Sequence, residues 1–133
     1  MKITNSIIAI DYDGTITEKD SSYPHAGILR KDAIRVIKKL KEQGNILCLW
    51  TCRSYKNGTL QIAQDALRTE GIEFDYYNES PYDTGSPKIV ADWYIDDRML
   101  GGTIDWEWIE KQLCMDRIIL ESRSVNTKIL DNV

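Results

Sequence analysis

Four short apolar runs punctuate the chain. Ile7-Ile8-Ala9-Ile10 and Ile46-Leu47-Cys48-Leu49-Trp50 are continuously apolar, and further candidates lie at residues 74–77 and at Trp93-Tyr94-Ile95. Unbroken runs, as opposed to alternating ones, predict strands buried on both faces, as in a parallel sheet. Between the runs the period turns helical. Ala33, Ile34, Ile37 and Leu40 form one stripe, with Lys31, Arg35, Lys38, Lys39 and Lys41 mostly opposite, and Gly44 stands where a helix end commonly needs a left-handed residue. A second helix is predicted from Thr59, with Ala63, Ala66 and Leu67 inward and a stop at Gly71. A third follows the N-cap residue Asp105, with Trp106, Ile109 and Leu113 on one face. Strands alternating with helices, at spacings that admit crossovers, predict an α/β fold around a mostly parallel sheet. Ile118-Ile119-Leu120 is either a short edge strand or a set of apolar residues pinning the tail. Residues 114–133 are therefore a tail or edge element of one domain spanning 1–133.

Composition narrows the setting. A chain of 133 residues suits one domain with one core, and no repeat, low-complexity stretch or linker divides it. With 17 Lys and Arg against 21 Asp and Glu, the net charge is −4, which argues against a general nucleic-acid coat. No apolar run approaches the ~20 residues that span a bilayer. The apolar run after Met1 is too short for a signal peptide, so a cytoplasmic protein with no membrane partner is expected. Cys48, Cys52 and Cys114 make an odd count without a Cys-x-x-Cys pair, and simple packing is the expectation for all three.

The chemistry gathers at the ends of the predicted strands. In an open α/β sheet, ligands bind beyond the carboxyl ends of the strands. The first strand ends in Asp11-Tyr12-Asp13-Gly14-Thr15, the second in Thr51-Cys52-Arg53-Ser54 and the fourth in Asp96-Asp97-Arg98, with Lys88 shortly before the fourth. Two carboxylates ~4 Å apart repel by ~4 kcal/mol at an effective dielectric of 20. Asp11, Asp13, Asp96 and Asp97 therefore call for a hard divalent cation, and Mg²⁺ suits a few carboxylates completed by water and phosphate. Lys88 adds a movable positive charge, and the Thr51 hydroxyl can donate to phosphate oxygens. Asp11 and Asp13, two residues apart, share a side of extended chain. One can attack phosphorus as an aspartate nucleophile while the other serves as general acid and then general base.

Asp11-Tyr12-Asp13-Gly14-Thr15 resembles motif I of the haloacid dehalogenase superfamily of phosphatases. Thr51 resembles motif II, Lys88 motif III, and Asp96-Asp97 motif IV, in the family's order over residues 6–98. The resemblance implies a three-layer, Rossmann-like hydrolase domain with Asp11 as nucleophile and Asp13 as acid/base. Thr51 and Lys88 would hold the phosphoryl group. Mg²⁺ would be bound by Asp11, the Asp13 carbonyl and Asp96, with Asp97 near or in the shell. Tyr12, Cys52 and Arg53 adjoin these motifs as further phosphate- or substrate-contacting candidates. Residues 86–98 are similar to small bacterial and phage members in which motifs III and IV sit close together. The short intervals at 15–46 and 51–88 leave no room for the inserted cap domain of many members. An open site suggests bulky phosphorylated substrates, with nucleic-acid ends among the possible ones, or a homo-oligomer covering the strand ends.

Other readings of these residues are weaker. Asp-Gly is a common turn, but three strand ends agree. An EF-hand needs Gly at loop position 6, whereas Gly14 is at position 4 counted from Asp11. No Gly-x-Ser-x-Gly elbow is present. His25 is best read as a solvated loop residue. Arg53 and Arg98 serve equally as substrate clamps or structural ion-pair partners, and Trp106 and Trp108 are expected to pack on the core or on a partner chain. Two functional alternatives share the acidic cluster: a receiver-like phospho-acceptor domain, and a non-catalytic phosphate-binding module.

Overall fold

In a computed structural model of the chain, residues 2–19 and 23–115 are described. The element order is β1 (Ile7–Ile10), α1 (Lys31–Glu42), β2 (Ile46–Leu49), α2 (Thr59–Thr69), β3 (Tyr76–Tyr77), β4 (Trp93–Ile95) and α3 (Trp106–Leu113). The four strands form one sheet in the order β3-β2-β1-β4, and every pairing is parallel. The expected α/β fold with a parallel sheet is therefore the one observed.

Side-chain alternation sends β1 to two faces. Ile8 and Ile10 join the larger cluster with Leu47 and Leu49, against Val36, Ile37 and Leu40 of α1, Leu60, Ala63 and Leu67 of α2, and Trp106, Ile109 and Leu113 of α3. Ile7 and Ala9 join Cys48 in a smaller cluster, covered by Ile89 and Ala91 of the irregular β3–β4 connection. Being buried on both sides explains why β1 and β2 are apolar runs. Helix ends follow local chemistry. The Asp105 side chain accepts from Trp108 N at 3.1 Å, as an N-cap should. Glu110 of α3 pairs with Arg35 and Lys39 of α1, joining the two helices.

The departures from expectation are local. Strand β3 is shorter than residues 74–77: the Asp75 N–H donates to the Leu47 carbonyl at 2.9 Å, but the Leu47 N–H goes to the Asp75 side chain at 2.8 Å, so the ladder starts only at Tyr76. Ile34 and Ala66 are half-buried, and Val36 takes the buried place on α1. Cys48 is buried as expected and Cys114 is half-buried, but Cys52 is exposed, so packing does not account for it. Trp106 is buried in the core while Trp108 is 60% exposed. The tail residues Ile118, Ile119 and Leu120 lie outside the described residues. Among the described residues, no helix is long and apolar enough to cross a membrane.

Candidate active site

Strand order puts the chemistry in one place. β1 lies between β2 and β4, so the chain leaving β1 is flanked by Thr51 on one side and Asp96 on the other. Asp11 stays tied to the sheet, with its N–H donating to the Ile95 carbonyl at 2.9 Å. Beyond it the backbone turns back on itself. The Tyr12 carbonyl accepts from the N–H groups of Thr15, Ile16 and Thr17 at 3.2, 2.9 and 3.2 Å. Gly14 makes the turn at φ +79°, and a Cβ there would stand 2.4 Å from Asp97 Oδ2. Only glycine suits both the backbone angle and the close approach.

One carboxylate oxygen from each of Asp11, Asp96 and Asp97 can be chosen so that all lie within 4.8 Å of one another. The buried Thr15 hydroxyl ties two of them together. It lies 2.9 Å from Asp11 Oδ2 and 3.2 Å from Asp97 Oδ1, and accepts from Asp97 N at 3.0 Å. The Thr15 carbonyl in turn accepts from the indole N–H of Trp106 at 2.8 Å, so α3 anchors the loop. Burial pushes the Asp11 carboxyl up to about 7, and the charges of Asp96 and Asp97 act in the same direction, against the hydrogen bond from Thr15. Three hard oxygen donors with this unfavourable charge balance are a donor set fitted to a divalent cation.

Asp13 is held elsewhere. Its carboxylate forms a two-point pair with Arg53, at 2.8 Å from Nε to Oδ2 and 2.8 Å from Nη2 to Oδ1. Its side chain is therefore outside the acidic triad, which leaves its carbonyl for the role that the resemblance implied. Arg53 has a fully buried side chain. Tyr12 is buried as well, its hydroxyl donating to the Ala26 carbonyl at 2.6 Å, and burial pushes the phenol up to about 12 despite the nearby Arg53. Neither is open to a substrate in this structure.

Of the other sequence candidates, Thr51 and Cys52 lie in the loop after β2, and Cys52 is exposed there. The Thr51 N–H donates to Asn78 Oδ1 at 2.8 Å, and Thr51 Oγ1 accepts from Arg53 N at 3.1 Å. Lys88 is exposed, with its ammonium 5.1 Å from the centre of the Tyr94 ring, and no hydrogen bond or ion pair joins it to the acidic triad. Arg98 contacts Asp96 through its backbone N–H at 2.9 Å. His25 is exposed and contributes its carbonyl to Arg53. Asn78 was not singled out as a site residue. It bridges Thr51 N and the Arg53 carbonyl from a left-handed backbone at φ +56°. An asparagine just after a strand was the available signal, since this residue type tolerates that conformation.

No family model matches the chain. Over 69 residues, 52% of this chain, it is 28% identical to the 5-amino-6-(5-phospho-D-ribitylamino)uracil phosphatase YitU of Bacillus subtilis (strain 168). The match spans 23% of that relative's length. Among solved structures, a conserved protein from Bacteroides thetaiotaomicron superposes with a TM-score of 0.71 at 36% identity, covering 80% of this chain and 87% of that one. A phosphatase is thus among the proteins that part of this chain is similar to, and the chain belongs to the same family as this conserved Bacteroides protein.

Proposed function

We propose that the protein is a Mg²⁺-dependent phosphomonoesterase of the haloacid dehalogenase type, without a cap domain, working through an aspartyl-phosphate on Asp11. The observation that carries this reading is the triad of Asp11, Asp96 and Asp97 at the ends of adjacent parallel strands, with carboxylate oxygens within 4.8 Å. The likeness to a phosphatase supports it.

In this reading Asp11, Asp96, Asp97 and the carbonyl of Asp13 hold the cation. Once bound, it supplies charge neutralisation that lets a phosphate dianion approach an aspartate. The Asp11 carboxylate attacks phosphorus in line, forming an O–P bond as the ester P–O bond breaks. Asp13, a carboxylate paired with Arg53 in this structure, takes up a proton from solvent as the ester binds and gives it to the departing alkoxide. Asp13, now a carboxylate, takes a proton from water as that water attacks phosphorus. The second displacement releases inorganic phosphate and restores Asp11. Thr51 donates to the phosphoryl oxygens. Lys88, exposed and on a long side chain, swings from Tyr94 to the same oxygens when substrate arrives.

Turnover of p-nitrophenyl phosphate, with and without excess chelator, tests the proposal directly. Steady turnover that stops on chelation and returns with Mg²⁺ is expected. Full activity in chelator overturns the cation site, and a single stoichiometric burst without turnover points to a phospho-acceptor instead.

A further inference from the structure

Arg53 was a candidate for holding substrate, yet its guanidinium has nothing left to offer one. An arginine carries five N–H donors in a fixed fork. Nε and one Nη2 proton meet the two oxygens of Asp13 at 2.8 Å each. The other Nη2 proton meets the His25 carbonyl at 2.6 Å, and Nη1 meets the carbonyls of Pro24 at 3.1 Å and Thr59 at 3.0 Å. Two aromatic rings lie against the guanidinium as well. The ring of Tyr12 lies 4.8 Å from the guanidinium carbon and that of Tyr23 lies 5.1 Å away.

We propose that Arg53 is a positioning residue that fixes the Asp13 carboxylate and, through the same fork, fastens the 23–26 segment and the start of α2 to it. The proposal rests on the reading above only in giving Asp13 the proton-transfer role. Three separate parts of the chain converge on one planar group: the turn after β1, the segment carrying Tyr23 and His25, and the first residue of α2. Tyr12 adds a second tie to that segment through Ala26. A buried cation without a partner is costly, so this pairing also sets which way Asp13 points. Lysine keeps the charge but not the fork, so Arg53→Lys is not conservative here.

The test is a double-mutant cycle read on two esters. p-Nitrophenyl phosphate has a leaving group that needs little protonation, and an alkyl phosphate has one that needs it fully. In Arg53→Gln and Arg53→Lys, kcat on the alkyl ester should fall by ~10²-fold or more while kcat on p-nitrophenyl phosphate falls by less than ~10-fold. KM and the inhibition constant of inorganic phosphate should stay within ~3-fold. In the Asp13→Asn background, Arg53→Gln should cost nothing further on the alkyl ester. Equal losses on both esters, an additive loss in the Asp13→Asn background, or a ~10-fold rise in KM and in the phosphate constant would overturn the proposal. Amide hydrogen exchange gives a readout free of activity. Arg53→Lys should speed exchange in residues 12–17 and 23–26 while α1 and α3 keep their protection. If the wild type hydrolyses neither ester, the phosphatase reading fails, and the exchange experiment alone decides the role of Arg53. Unchanged exchange in both segments would refute it.

Discussion

Gly14 and Asp97 share the space of one missing methyl group: a Cβ on Gly14 would stand 2.4 Å from Asp97 Oδ2. Gly14→Ala therefore meets two penalties. A left-handed backbone costs a non-glycine residue about 1–2 kcal/mol, and Asp97 must give up its place beside Thr15. The variant should unfold at lower denaturant by about that amount, and the Mg²⁺ needed for half-maximal turnover should rise by ~10-fold or more, about 1.4 kcal/mol of binding. Urea unfolding and a Mg²⁺ titration check the two effects. An unaltered Mg²⁺ requirement would remove Asp97 from the cation site.

Asp11→Asn should abolish turnover while leaving the fold intact. The amide keeps the shape of the side chain but cannot form the acyl phosphate. Loss of covalent attack should lower kcat by at least ~10³-fold, or about 4 kcal/mol of barrier. Circular dichroism and a single-turnover assay together make the check. Activity within ~10-fold of wild type would place the nucleophile elsewhere.

The pH dependence of the metal-free protein follows from the same carboxyl. Its folded value of about 7 lies above the ordinary 3.8, so the folded state keeps a proton that the unfolded chain releases. This contribution to stability is full below 3.8 and is lost as pH rises through about 7. In chelator, the melting temperature of the wild type should fall relative to Asp11→Asn from pH 5 to pH 8, with the gap levelling off above about 7. Mg²⁺ should raise the wild-type melting temperature more at pH 8 than at pH 5, because it replaces that proton. A gap independent of pH would contradict the burial argument for Asp11.

Trp106→Phe removes the indole donor from the Thr15 carbonyl while keeping an aromatic ring in the core. Losing a buried hydrogen-bond donor typically costs about 1–3 kcal/mol. The variant should be less stable by that order in urea. It should also bind Mg²⁺ more weakly, because Thr15 holds both Asp11 and Asp97. Destabilisation without any change in the Mg²⁺ titration would confine Trp106 to a packing role.

Sequence patterning located β1 and β2 because strands buried on both faces are written as unbroken apolar runs, and each run stops where polar chemistry begins; β4 shows the same apolar run but is an edge strand with Trp93 and Tyr94 exposed, so the expected burial on both faces holds only for β1 and β2. It also located the triad, since parallel strands carry Asp11 and Asp96 to one edge. The partner of Asp13 was not legible. Arg53 lies two residues past Thr51 and reads, on the linear sequence, equally as a substrate clamp or as a structural ion-pair partner of unspecified identity. Its five bonds arise only when the turn after β1, the 23–26 segment and α2 converge. Asn78 escaped for the same reason, because its role is to bridge Thr51 and Arg53 in space. Lys88, named by spacing, stands with its ammonium 5.1 Å from the centre of the Tyr94 ring, a contact that spacing alone does not give.

The bond from Trp106 to Thr15 spans most of the described chain, and it has a consequence for how the molecule is made. Strand β1 is synthesised before β2 and β4, the strands that pair with it on either side. The loop that follows it gains its anchor only when α3 has emerged, and the Ile3 N–H finds the Leu113 carbonyl at 3.0 Å at the same stage. Contacts of such long sequence separation form late in folding, because the loops they close are entropically costly. A nascent chain shorter than about residue 113 therefore displays Asp11 and Asp13 without the anchor that α3 gives to the loop carrying them.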